Sequence, residues 1–240
     1  MTGAVTPELE GRARMHAALG EPARLAIVEG LAVADGAPGQ LSAAFGLPTN
    51  LLAHHLRVLE EAGLIHRVRS EGDRRRSYVR LADDPAVTAL IQPPPIPDPI
   101  PRVVFVCTHN SARSQFAAAA WARISPLPTA SAGTHPARRV HPRAVRVGRR
   151  HGLKLAQART ADLTDVLRTD DLVVAVCDNA HEELSGLLPG ARRRLHWAVP
   201  DPAPLDTDEA FETAYQQISG RIQRLALALP STDPRQRGPR

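Results

Sequence analysis

One short stretch combines a nucleophile with the means to hold an oxyanion. Residues 103–114, Val-Val-Phe-Val-Cys-Thr-His-Asn-Ser-Ala-Arg-Ser, read as a strand, a loop and a helix start, with Cys107 at the strand's end. Between Cys107 and Arg113 lie Thr108, His109, Asn110, Ser111 and Ala112. A loop of that length can curl so that its backbone N–H groups point inward and hold a tetrahedral anion. The helix starting near Ser114 adds its positive end, and both effects favour negative charge on the Cys107 sulfur. Arg113 can grip two oxygens of the anion in fork geometry. The Ser114 hydroxyl can donate to a thiolate. Asn110 suits a tight loop position that most residues enter only at a cost. A bare Cys-x5-Arg is a weak pattern; the strand before it, the helix after it and the serine give it weight.

Attack on such an anion needs an acid for the departing oxygen. Asp201, in the segment Trp-Ala-Val-Pro-Asp-Pro-Ala-Pro at 197–204, is the candidate. An isolated Asp-Pro is more often a turn, but next to a Cys-x5-Arg-Ser loop the acid reading carries more. The chain has two cysteines, Cys107 and Cys177. They are too few for a disulfide framework, and no spacing suits a zinc site. Cys177 is then either a small buried filler or a redox partner for Cys107.

These residues need a scaffold. After position 101 apolar strand-like runs alternate with helical ones. Strands are expected at 102–106, 129–132, 171–176 and 193–196. Helices are expected at 114–124, 141–151, 179–187 and 207–229. That alternation predicts a doubly wound α/β domain with a four-stranded parallel sheet, whose ligands sit at the carboxyl ends of the strands. Cys107, Cys177 and Asp201 all fall at such ends.

The segment before it is different. Helices are expected at 8–19, 22–33, 40–45 and from Thr49 or Asn50, as cap, to about 62. Strands follow at 64–69 and 77–81, with a turn at Glu71-Gly72-Asp73. A short helix, a tight turn, a longer helix and a hairpin make a winged helix-turn-helix. Arg67, Arg69, Arg74, Arg75, Arg76 and Arg80 crowd the hairpin. They would repel one another unless an anionic partner such as a DNA backbone screened them, the alternative being a solvated hairpin tip. Thr49, Asn50, His54 and Arg57 are the candidate groups on the longer helix. His54 and His55 point about 100° apart, so one facing DNA and one packing is favoured over a shared metal. No metal site is expected.

The expected organisation is therefore a DNA-binding domain at 1–91, a proline-rich linker at 92–101, an α/β domain at 102–230 and a disordered tail at 231–240. Alternating prolines exclude helix and central strand from the linker and predict an extended polyproline-II spacer. The formal net charge is +5, and Lys154 is the only lysine. So much arginine fits phosphate binding or a compositional bias of the genome; only its placement separates the two. Aromatic content is 3%, so the cores must be built mainly from Ala, Leu and Val. No run is long and apolar enough to span a bilayer and no signal peptide is seen, so the expected address is the cytoplasm, without a membrane.

Two resemblances follow from these residues. The segments Ala-Leu-Gly-Glu-Pro-Ala-Arg-Leu-Ala-Ile at 18–27 and His-His-Leu-Arg-Val-Leu-Glu-Glu-Ala-Gly-Leu-Ile at 54–65 resemble the ArsR family of winged-helix repressors. That resemblance implies a homodimer on double-stranded operator DNA. Thiolate metal sensing is not available here, because this segment has no cysteine. Leu51, Leu52 and Ala53 also leave few base-reading groups. Residues 107–115 and 131–136, Val140-His141-Pro142 and the Asp201-Pro202 loop resemble the low-molecular-weight protein tyrosine phosphatase fold, and more closely its arsenate reductase branch. That implies Cys107 as nucleophile, Arg113 as oxyanion ligand and Asp201 as acid, acting on arsenate or phosphate. Ala203 and Pro204 stand where phosphatases of this fold carry aromatics against a substrate ring. Cys177 matches the second cysteine of thioredoxin-coupled reductases. No third follows, so a two-cysteine disulfide or an external low-molecular-weight thiol or redoxin is the reductant the resemblance leaves. No other cofactor is expected. Three functions stay open: an arsenate reductase fused to a regulator, a phosphatase, or a repressor that only senses an oxyanion or redox state.

Overall fold

A computed structural model describes residues 6–97, 99–187 and 193–229. The tail expected at 231–240 lies outside the described residues. The chain divides into two compact units, the first running to Pro94 without Glu71–Asp73, the second made of those three residues and the chain from Pro95 on.

The first unit is mainly helical. Helix α1 (Pro7–Leu19) opens with Thr6 accepting the Leu9 N–H, and α2 (Pro22–Val33) opens with the Glu21 carboxylate accepting two N–H groups. Each has proline in its first turn, where the missing donor costs nothing. Helix α3 (Pro38–Phe45) stops at Gly46 and α4 (Thr49–Glu61) is followed by Gly63, both glycines in the left-handed region at φ 63° and 74°. The expected cap of α4 is corrected: Pro48 takes the N-cap position, and no side chain caps the helix. Leu52, Leu56 and Leu59 of α4 bury against Ile27, Val28, Leu31 and Leu41. Strands β1 (Ile65–Arg69) and β2 (Ser77–Leu81) pair antiparallel, Ile65 opposite Leu81 and Arg69 opposite Ser77. A short helix not expected from the sequence, α5 (Pro85–Ala89), follows, capped by Asp84.

The second unit is a sheet of parallel strands in the order β4-β3-β5-β6. These are β3 (Val103–Cys107), β4 (Thr129–Gly133), β5 (Leu172–Ala175) and β6 (Arg194–His196). Both central strands are buried throughout, which requires cover on both faces. From the central β3–β5 pair the chain winds outward in opposite directions. With right-handed crossovers this puts α6 (Arg113–Ile124) and α9 (Asp178–Leu187) on opposite faces. Helix α7 (Pro142–Arg150) and the short α8 (Leu163–Val166) lie between β4 and β5 in sequence. Helix α10 (Asp208–Ala228) packs on α6 and α7. Phe105 of β3 lies between the buried rings of Trp121 and Trp197, at 6.2 and 5.8 Å. Among its described residues the proline segment has neither helix nor strand, and its later half lies on this unit: the Ile96 N–H donates to the Ala228 carbonyl at 2.7 Å, and Ile100 is buried.

Candidate oxyanion site and candidate nucleic-acid surface

The order β4-β3-β5-β6 fixes where the chemistry can sit. The connections leaving β3 and β5 diverge to opposite faces, and the crevice between them opens at the carboxyl ends of these strands. Cys107 is the last residue of β3, and Cys177 follows β5.

The loop from Thr108 to Ala112 wraps the Cys107 sulfur. The Asn110 N–H donates to it at 3.2 Å, and the Ser114 hydroxyl lies 3.1 Å away. Asn110 Nδ2 in turn donates to that hydroxyl at 2.8 Å, which leaves the serine proton for the sulfur. Asn110 is fully buried with φ 48°, a left-handed conformation that asparagine tolerates. Its side-chain carbonyl accepts from the Ala161 N–H at 2.9 Å and from Gln115 Nε2 at 3.1 Å. Gln115 also donates to the Asn110 and Arg159 carbonyls. Thr108 and Ala112 are buried, Ser111 is half-buried, and His109 is exposed.

A second backbone runs beside this loop. The N–H groups of Thr134, His135, Ala137 and His141 donate to the carbonyls of Cys107, Thr108, His109 and Ser111. Gly133 makes that approach possible, because a Cβ there would stand 2.8 Å from the Thr108 carbonyl oxygen. These loop carbonyls are thus occupied from outside, and among the loop N–H groups that of Asn110 donates to the sulfur.

Arg113 opens α6 and is buried. Its Nη1 donates to the Val199 carbonyl at 2.9 Å, and its Nη2 lies 2.9 Å from Asp201 Oδ2. Burial works against the guanidinium charge, but the neighbouring Cys177, Cys107 and Asp201 outweigh it and push its pKa up. Asp201 is partly exposed, and its other oxygen accepts the Ala203 N–H. Cys177 lies 3.6 Å from the Thr108 hydroxyl. Burial pushes its thiol pKa up, against the pull of Arg113, so it is protonated at neutral pH. The structure therefore gathers Cys107, Arg113, Asp201, Cys177 and the loop around one point. Gln115 and the Val199 carbonyl were not expected from the sequence. Of these two only Gln115 left a signal in the sequence, as a polar residue directly after Arg113 and Ser114.

In the first unit Thr49, Asn50, His54 and Arg57 are all exposed on α4, opposite its buried leucines. His54 and His55 separate as a 100° step requires: His54 is exposed, while His55 is buried with Nδ1 3.5 Å from Glu21. Arg67, Arg69, Arg74, Arg75 and Arg76 are exposed on the hairpin, with Arg67 3.3 Å from Glu60. Arg80 is a correction. It is buried, 3.1 Å from Asp83 and 3.8 Å from Asp35, so its charge is balanced internally and needs no DNA backbone. Val79 and Leu81 of β2 face the hydrophobic core and Arg80 lies on the opposite face, which is buried as well and which a count of arginines does not show.

Residues 102–234 match the sequence profile described as low molecular weight phosphotyrosine protein phosphatase. Residues 19–68 match a helix-turn-helix domain. The arsenate reductase of Brevibacillus brevis is 33% identical over 129 residues, which span 52% of this chain and 92% of that one. The arsenate reductase of Bacillus subtilis is 31% identical over 134 residues, 52% of this chain and 94% of that one. Among solved structures, the tyrosine phosphatase Wzb from Escherichia coli K30, in complex with sulphate, is similar with a TM-score of 0.50 and 26% identity, over 53% of this chain and 97% of that one.

Proposed function

Because the chain belongs to the low molecular weight phosphotyrosine protein phosphatase family and carries a helix-turn-helix domain ahead of it, we propose that it is a DNA-binding regulator fused to an arsenate reductase that serves arsenic resistance. One observation carries the enzymatic half. The Cys107 sulfur accepts the Asn110 N–H of the loop that follows it, and Cys177 lies 3.6 Å from the Thr108 hydroxyl of the same loop. Phosphoester hydrolysis needs no second thiol, whereas reduction of arsenate through a disulfide does. The identity to arsenate reductases supports the same choice, as does Ala203-Pro204 in place of aromatic residues.

The chemistry runs as follows. The loop N–H groups and Arg113 hold arsenate against Cys107. Its thiolate attacks arsenic, an S–As bond forms, and one oxygen leaves as water with a proton from Asp201. The Cys177 thiol passes its proton to an arsenic-bound oxygen as its sulfur attacks the Cys107 sulfur. The S–S bond forms, the S–As pair of electrons stays with arsenic, and arsenite leaves. An external thiol, from a small molecule or a redoxin, then reduces the disulfide. The DNA-binding half acts as a homodimer on operator DNA.

The likeness to a sulphate-bound tyrosine phosphatase favours a second reading, hydrolysis of a phosphoester by the same Cys107, Arg113 and Asp201. Wild type, Cys107→Ser and Cys177→Ser distinguish the two. Arsenate reduction that needs both cysteines, measured with several thiol donors, is the expected result. Aryl phosphate hydrolysis without arsenate reduction in any thiol system would sink the reductase reading. Absence of both, with promoter affinity that responds to an oxyanion through Cys107, would make the domain a sensor.

A further inference from the structure

A buried pair that the chemistry above leaves unused joins the second cysteine to the acid. Asp178 directly follows Cys177 and opens α9. Its Oδ1 lies 2.9 Å from Nε2 of His196, the last residue of β6. The two side chains are only 4% and 2% exposed. His181, one turn along α9, stacks on His196 with ring centroids 4.1 Å apart and planes 15° from parallel. From His196 the chain leads straight into the site. Trp197 packs on Phe105, the Val199 carbonyl accepts from Arg113, and Asp201 pairs with Arg113. From Asp178 the chain leads back one residue to Cys177 beside Thr108. The buried Asp178–His196 pair, with the His181 stack beside it, therefore ties the turn that carries the second cysteine to the segment that carries the acid. Burying a carboxylate is costly even when it is paired, and apolar residues would pack a sheet edge at least as well. What the pair supplies and apolar packing does not is a fixed direction and distance between two segments.

We propose that Asp178 and His196 are positioning residues that hold Cys177 and Asp201 in register around Cys107 and Arg113. Neither touches the reacting anion. The proposal rests on reading Cys177 as the redox partner of Cys107. While the pair is intact the first turn of α9 keeps the Cys177 thiol buried at one place against the loop. Without it the turn loosens and the acid segment loses its anchor at the same time.

The test is made in the full chain. In a Cys107→Ser background, alkylation of Cys177 by iodoacetamide is timed by mass spectrometry. His196→Ala and Asp178→Ala are expected to raise the rate about tenfold or more, the scale of losing a hydrogen bond to a buried charge. His196→Gln, whose amide can still donate to Asp178, is expected to stay within about twofold of the parent. With Cys107 present, the two alanine variants are expected to lower kcat about tenfold and leave KM unchanged, because neither residue contacts substrate. Circular dichroism checks the fold. If an alanine variant does not fold, His196→Gln is compared with His196→Leu, which fills the space without a donor. Equal Cys177 rates in folded variants with and without a donor at 196 overturn the proposal. If the wild type turns over neither arsenate nor an aryl phosphate, the reading of Cys107 fails, and the alkylation rates still decide the positioning role.

Discussion

Asn110 holds the oxyanion loop from inside. Its backbone sits in the left-handed region, its N–H donates to Cys107, and its side chain joins Ser114, Gln115 and the Ala161 N–H. Alanine at this position is strained and leaves buried partners unmatched. Asn110→Ala is expected to cost about 2–4 kcal/mol of stability, read from chemical denaturation, and to weaken protection of Cys107 by phosphate against alkylation. The cysteines differ in a way that pH exposes. Burial raises the Cys177 pKa above 9.0, so in Cys107→Ser its alkylation is expected to stay slow at neutral pH and to climb only beyond the range of a free thiol. The sign for stability follows: the contribution is intact below the unfolded-state value and is lost as pH rises through the raised folded value. A midpoint at or below 9.0 would contradict the burial. The special conformation of Asn110 was legible in the sequence, because asparagine in a short tight loop has few other reasons to be there. The role of Gln115 was not, since its partners come from residues 110 and 159, which only folding brings together.

Elements position these residues, and the seam between α7 and α10 shows charge at work between helices. Arg143, Arg146 and Arg150 recur at helical spacing on α7 and converge on Asp208 in the first turn of α10, with Asp206 also on Arg143. The hydrogen bonds from Arg146 and Arg143 hold the Asp208 carboxyl far below the usual carboxylate range, and Arg143 holds Asp206 down as well. Both effects stabilise the fold above the unfolded-state pKa of an aspartate and are lost as pH falls through the depressed values. Carbon-detected titration is expected to find Asp208 well below 3.8, and Arg146→Gln to bring it part of the way back. Since these groups lie at the surface, about 1 M salt should shrink the shift. An Asp208 that titrates at 3.8 would mean the seam does not persist in solution. Long elements were legible because an apolar period declares itself over several turns. Helices α5 and α8 have 5 and 4 residues, too few for any period, and only Asp84 and Asp162 at their caps marked them. The cap of α4 misled for a related reason. Thr49 and Asn50 are good caps by type, but with Pro48 at the N-cap the helix starts one residue earlier than Thr49 would start it and two earlier than Asn50 would.

At the scale of the whole molecule both units carry ion-paired arginines and exposed ones. In the α/β unit many are committed: Arg102 to Asp171, Arg113 to Asp201, and the α7 set to Asp206 and Asp208. On the helix-turn-helix unit Arg57, Arg69, Arg74, Arg75 and Arg76 reach the surface on α4 and the hairpin. We propose that this exposed cluster on α4 and the hairpin faces a polyanionic partner. The sequence showed how many arginines there are and which segments hold them. It did not show that Arg80 turns inward, because strand facing depends on register with β1. The two kinds of contact that such a surface makes have different signatures. Arginines at a hairpin turn reach phosphates, and each phosphate contact contributes about 0.9 to the slope of log affinity against log salt. The triple change of Arg74, Arg75 and Arg76 to glutamine is therefore expected to lower that slope by about 2–3 and to weaken binding alike on promoter and unrelated DNA. Asn50 stands on the exposed face at the start of α4, where an amide can read an adenine edge. Asn50→Ala is expected to leave the slope unchanged and to reduce the preference for promoter over unrelated DNA by about 1–3 kcal/mol. Titrations of both variants across a salt series separate the two. A slope untouched by the triple change would show that the hairpin arginines are solvated and that α4 alone carries the contact.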